Sequence, residues 1–61
     1  MAQITAKELS SLSDLLAAEE LLVNKYKDFA ANTQDAPLKN KYEQIAAQHQ
    51  QHFDMLYSHL K

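Results

Sequence analysis

The sequence predicts an all-α protein: an antiparallel two-helix hairpin that joins a second copy of itself as a four-helix bundle. Three observations carry that prediction. The 61-residue chain has no glycine and a single proline, which removes the turn chemistry of tight β-hairpins and phosphate-cradling loops. Apolar residues recur every three or four positions along most of its length, the period of a helix face. One polar cluster, Asn32-Thr33-Gln34-Asp35, interrupts the pattern near the middle, and so short a link between long helices turns the second back along the first.

Helix 1 is expected from Ala6 to about Ala31. Thr5-Ala6-Lys7-Glu8 is a capping box, in which the Thr5 hydroxyl accepts from the Glu8 N–H and the Glu8 carboxylate reaches back to Thr5. Ile4 and Leu9 have the spacing of a hydrophobic staple around it. Helix 2 is expected from about Ala36 to Leu60, with Asp35 as N-cap and Pro37 in the first turn, where its missing donor costs little. At 1.5 Å per residue each helix runs ~38 Å.

Along helix 1, Leu12, Leu15, Glu19, Leu22, Tyr26 and Phe29 step by three and four, beside a second row of Leu9, Leu16, Val23 and Ala30. Along helix 2 the steps fall on Leu38, Tyr42, Ile45, His49, His52, Leu56 and His59, with Ala46, Phe53 and Leu60 alongside. A stripe that wide is a bundle face, broader than a two-stranded seam. A chain this short has a marginal core, and without cysteine no disulfide reinforces it. Two facing stripes leave apolar flanks wet, so a homodimer is expected.

Other classes are excluded by composition. Six basic against eight acidic residues offer no cationic surface for nucleic acid. No apolar run approaches ~18 residues and no signal-peptide core follows Met1, so an intracellular protein with no membrane span is expected.

Glu19, His49 and His52 break the apolar stripe. Glu19 lies about 14 residues before the turn centre and His49 about 15 after it, so an antiparallel pair sets them at one height. His52, three residues on, shares the face of His49. Burying such groups unpaired would cost several kcal/mol each, out of a total stability of ~5–15 kcal/mol. They must satisfy one another, hold water or bind a metal. Two imidazoles and a carboxylate in one interior layer are the ligand set of a transition-metal site, zinc or iron among the candidates. A metal-free Glu–His network that fixes register is the alternative, and a slipped register with one imidazole on the surface is another. Tyr26 and Tyr42 should share a layer next to the cluster, as core with bonded hydroxyls or as hydrogen-bond support behind the ligands. Glu20 is a flank residue and an extra ligand candidate. His59 should be solvated. Gln44, Gln48 and Gln51 form a polar stripe, solvated or, with Leu21, a docking face.

These residues carry a resemblance. Glu19 with Tyr26 and Phe29-Ala30 resembles the first helix of a ferritin-like or rubrerythrin-type half-bundle. His49-Gln50-Gln51-His52, followed by Phe53-Asp54-Met55-Leu56, is similar to that superfamily's Glu-x-x-His segment. Over roughly residues 10–60 the chain looks most like the spore coat protein F-like family, small helical proteins of spore-forming bacteria. The resemblance implies a metal-ligand role for Glu19 and His52, a homodimeric ferritin-like four-helix bundle, a structural or coat-associated role with a coat or scaffold protein as partner, and a cytoplasmic or spore-coat location. His49 stands where the superfamily has Glu. Two hairpins would therefore supply two Glu and four His where a typical dinuclear site has four Glu and two His. So little negative charge favours one ion shared at the two-fold, or one ion held by each Glu–His–His set. Imidazole suits zinc, iron(II), nickel or copper better than magnesium or calcium.

Three functions compete. The first is a non-catalytic homodimer with an interior Glu/His site that binds a transition metal. The second is a non-haem metal redox enzyme, since two His and one carboxylate form a triad open to oxygen or peroxide. The third is a metal-free helical interaction module. Helices filled with Leu, Tyr and Phe are expected to leave little room for a ligand of ~300 Å³ or more.

Overall fold

The computed structural model describes residues 4–60. The expected domain span of 1–61 also includes residues 1–3 and 61, which lie outside the described residues. Helix α1 spans Ala6–Asn32 and helix α2 spans Ala36–Ser58, and they pack against each other as an antiparallel hairpin 47 Å long, 17 Å wide and 11 Å thick.

The helix ends follow from local chemistry. At the start of α1 the Thr5 N–H donates to Glu8 Oε1 at 3.1 Å and the Glu8 N–H donates to Thr5 Oγ1 at 3.0 Å. Both orphan donors of the capping box are thereby satisfied. The backbone N–H of Thr5 and then its side chain hold the Glu8 carboxyl below the usual carboxylate range. α1 stops where Thr33 turns extended and its N–H donates to the Phe29 carbonyl. Asp35 then accepts from the Leu38 N–H at 3.0 Å, with Pro37 in the first turn of α2. α2 ends at Ser58, two residues before the expected Leu60. There the His59 and Leu60 N–H groups bond the carbonyls three residues back, on Leu56 and Tyr57, the tightened winding common at a helix terminus.

The contact between the helices is narrower than the expected three-row stripe. On α1, Leu12, Leu16, Glu19, Val23, Tyr26 and Ala30 are buried or half-buried, and on α2 Tyr42, Ala46, His49, Phe53 and Leu56 are. Both sets alternate steps of three and four, the repeat of a two-stranded seam. The buried side chains among the described residues are Leu12, Val23, Ala30 and Ala46. Two of these are alanines, so the seam holds little apolar area.

The third row lies outside the seam. Leu15, Leu22 and Phe29 recur at intervals of seven on α1, and Leu38, Ile45 and His52 do so on α2. Each trio is therefore one row along its helix. Leu15, Phe29, Leu38 and His52 are exposed, and Leu22 and Ile45 are half-buried. At 3.6 residues per turn, Glu20 and Lys27 flank the seam on the other side. They meet Gln50 in a groove there, and an adjoining groove brings Lys27 to Glu43 and Ala47. The hairpin thus has one broad face with an apolar row and an opposite face with a charged and amide-lined middle. No described helix is long and apolar enough to cross a membrane.

Candidate metal centre

Glu19 comes from the middle of α1, and His49 and His52 come from α2. His49 Nδ1 and Glu19 Oε1 lie 2.7 Å apart, within hydrogen-bond distance, and the imidazole tautomer decides which nitrogen carries the proton. His52 Nδ1 lies 3.6 Å from the other oxygen, Oε2, within ion-pair range but beyond a hydrogen bond. The two imidazoles thus turn the same nitrogen toward one carboxylate and use its two oxygens separately. Their rings meet edge to face with centroids 5.6 Å apart.

One potential ligand atom from each of Glu19, His49 and His52 falls in a set spanning no more than 4.8 Å. Around a transition-metal ion with bonds of ~2.0–2.2 Å, neighbouring ligand atoms sit about 3.0–3.5 Å apart. The 2.7 Å contact must open slightly and the 3.6 Å contact close slightly to reach that spacing. The set as a whole, which spans up to 4.8 Å, must contract as well. Two nitrogens and a carboxylate suit a borderline-soft ion such as zinc or iron(II) better than a hard, oxygen-seeking one.

Burial divides the three. Glu19 is 19% exposed and His49 is 23% exposed, whereas His52 is 54% exposed. The expected interior layer is therefore at one height but is not closed over by a single chain. His49 sits in the seam, and His52 belongs to the outer row with Leu38 and Ile45. Two helices have only one seam between them, and a third row faces outward until something covers it.

Tyr26 and Tyr42 both lie in the seam one layer from the cluster. The Tyr26 ring stacks on that of His49 with planes 13° apart and centroids at 6.0 Å, so it limits the tilt of the imidazole. Among the described residues no hydrogen bond joins either tyrosine hydroxyl to Glu19, whose bond is to His49, and both rings pack in the seam. Tyr42 packs on Tyr26 and Phe29. Glu20 is exposed and lines the groove with Lys27 and Gln50 on the opposite face. His59, Gln44, Gln48, Gln51 and Leu21 are all exposed.

The helices are expected to leave little room for a ligand of ~300 Å³ or more, and the spaces present are surface grooves. A groove of about 420 Å³ at the open end of the hairpin is lined by Ile4, Leu12, Leu15 and His59 among others. It is a shallow surface channel, and Glu19, His49 and His52 line neither it nor the two grooves on the other face. The pairing of Tyr26 with His49 was missed in the sequence; its signal was the aromatic seven residues after Glu19 on the same helix face.

Compared with protein-family models, with curated proteins and with solved structures, the chain has no match. The resemblance to ferritin-like half-bundles and to the spore coat protein F-like family therefore rests on the quoted residues alone.

Proposed function

We propose that this chain is a small ferritin-like protein whose Glu19, His49 and His52 bind a transition-metal ion, and that two copies associate as a four-helix bundle in a structural, non-catalytic role. The convergence of three ligand atoms within 4.8 Å at mid-hairpin is the observation that carries the metal reading. The thin seam and the exposed Leu15, Phe29 and Leu38 support the dimer, because a core this small is below what a lone short domain ordinarily needs. The resemblance supports a coat or scaffold setting, with another coat protein as partner. The metal reading is tested by titrating zinc into protein stripped of metal, in competition with a chromophoric chelator. Uptake of one ion per chain or per pair of chains is expected, with affinity at least a hundredfold lower for His49→Ala. Absence of zinc uptake by the folded wild type would contradict it.

The exposure of His52 favours one second reading. A two-His, one-carboxylate set open on one side admits oxygen or peroxide, which would make the chain a non-haem redox enzyme. Iron(II)-loaded protein would then change its absorption spectrum on exposure to either oxidant. An unchanged spectrum removes that reading and leaves the structural one.

A further inference from the structure

We infer that ion binding and self-association are coupled: a second copy of this chain packs on the face bearing Leu15, Phe29, Leu38 and His52, and its arrival closes the coordination that the three ligands leave open. This rests on the metal reading above and adds to it the partner and the regulation of the site.

Three observations meet on that face. The first is its size. The hairpin is 47 Å long and 17 Å wide, and Leu15, Phe29 and Leu38 are each 40–52% exposed along this side, apolar area that a second copy would take out of water. The second is its chemistry. Leu15, Leu22 and Phe29 run beside Leu38 and Ile45, and His52 is the polar residue in their central layers, with Glu8 and His59 at the outer ends of the same rows. The opposite face has Glu20, Lys27, Glu43 and Gln50 in the same central layers, groups whose desolvation opposes burial. The third is the position of the candidate metal centre. A transition-metal ion takes four or more ligands, the chain brings three together, and His52 is open to solvent. An apolar surface of this kind cannot be covered by a second copy while His52 stays unpaired, since a buried imidazole needs a partner. Setting the two-fold axis near the Glu19 layer brings the two clusters together and supplies the partner. Whatever the ion adds to dimer affinity, the dimer then adds to ion affinity, because linkage is reciprocal.

Subunit exchange tests this, because differences in affinity between related complexes fall mainly on dissociation. Isotope-labelled and unlabelled chains are mixed after metal removal or after loading with zinc, and the mixed dimer is followed by native mass spectrometry. Zinc binding is measured separately with the chelator. The expected result is exchange slowed at least tenfold by zinc in wild type and in His59→Ala, with no zinc effect in His52→Ala. Wild type that binds zinc yet exchanges at an unchanged rate, or stays monomeric, overturns the coupling and leaves the metal site standing. Loss of the zinc effect in His59→Ala also overturns it, since the ion would then be bridging chains at the helix ends. Failure to bind zinc at all overturns the coupling together with the metal reading.

Discussion

The two broad faces of the hairpin are built from the same two helices yet differ in what they present to solvent. One shows Leu15, Leu22 and Phe29 beside Leu38, Ile45 and His52; the other has Glu20, Lys27, Glu43 and Gln50 across its middle. The seam between them buries Leu12, Val23, Ala30 and Ala46 among the described residues. A helix needs one apolar stripe to make a hairpin, and here the stripe is wider than the hairpin uses. Leu15, Phe29 and Leu38 of that surplus fall on one side, together with the outermost of the three metal-ligand candidates. Where that surplus lies, not how much of it there is, points to what the chain does.

A charge placed on an exposed leucine should separate the two faces by the largest margin. Leu15 is 52% exposed on the His52 face, and Leu21 is 69% exposed and points away from the hairpin. In a lone hairpin both Leu15→Glu and Leu21→Glu would be mild, within about 0.5 kcal/mol for a surface change. With a partner on the first face, Leu15→Glu buries a charge and should cost several kcal/mol, while Leu21→Glu stays neutral. Thermal melts with light scattering on both variants would show it, and equal behaviour would dissolve the distinction between the faces.

A smaller effect is expected at Glu19. With zinc bound, Glu19→Ala removes a ligand and should cost about 2–3 kcal/mol, against ~1 kcal/mol in metal-free protein, where only the bond to His49 is lost. Urea midpoints in zinc and in chelator measure the difference. Equal losses would make Glu19 part of a metal-free network.

The helix caps test the hairpin beneath both faces. Asp35→Ala removes the acceptor for the Leu38 N–H and should cost ~1 kcal/mol by urea denaturation, the usual worth of an N-cap. A change near zero would mean that the turn is held by its other contacts.

The smallest effect is at Glu8. Its carboxyl is held below the usual range, first by the Thr5 N–H. A depressed acid contributes stability above its unfolded pKa, and that contribution is lost as pH falls through the folded value. The first turn of α1 should therefore fray as pH drops below about 4, the ordinary value for a glutamate. Glu8→Gln should show no such step in amide exchange at residues 6–9, and the same step in both proteins would count against the capping box.

Much of this was legible before any coordinates. Thr5 with Glu8, and Asp35 with Pro37, are local signals, and local chemistry decides helix starts. Counting residues from the turn sets Glu19 and His49 at equal height because an antiparallel pair of helices has no other register freedom once the loop is three residues long. Less visible was which apolar row the seam would take. Leu15, Leu22 and Phe29 look like core on periodicity alone, yet the seam buries Val23 and Ala30 beside them. Helix packing favours small side chains where backbones come close, and periodicity carries no information on that distance. For the same reason His52 appears in the sequence as an interior residue and in the fold as the edge of an open face. α2 ends at Ser58, against an expected end at about Leu60, with His59 as a C-cap that is still right-handed helical and no glycine to mark the stop.

Native mass spectrometry of the protein purified without chelator addresses the central claim most directly, since one spectrum reports both the number of chains and the mass of any ion they hold. Two chains carrying one or two transition-metal ions is the predicted result. A single chain with no bound ion would contradict it.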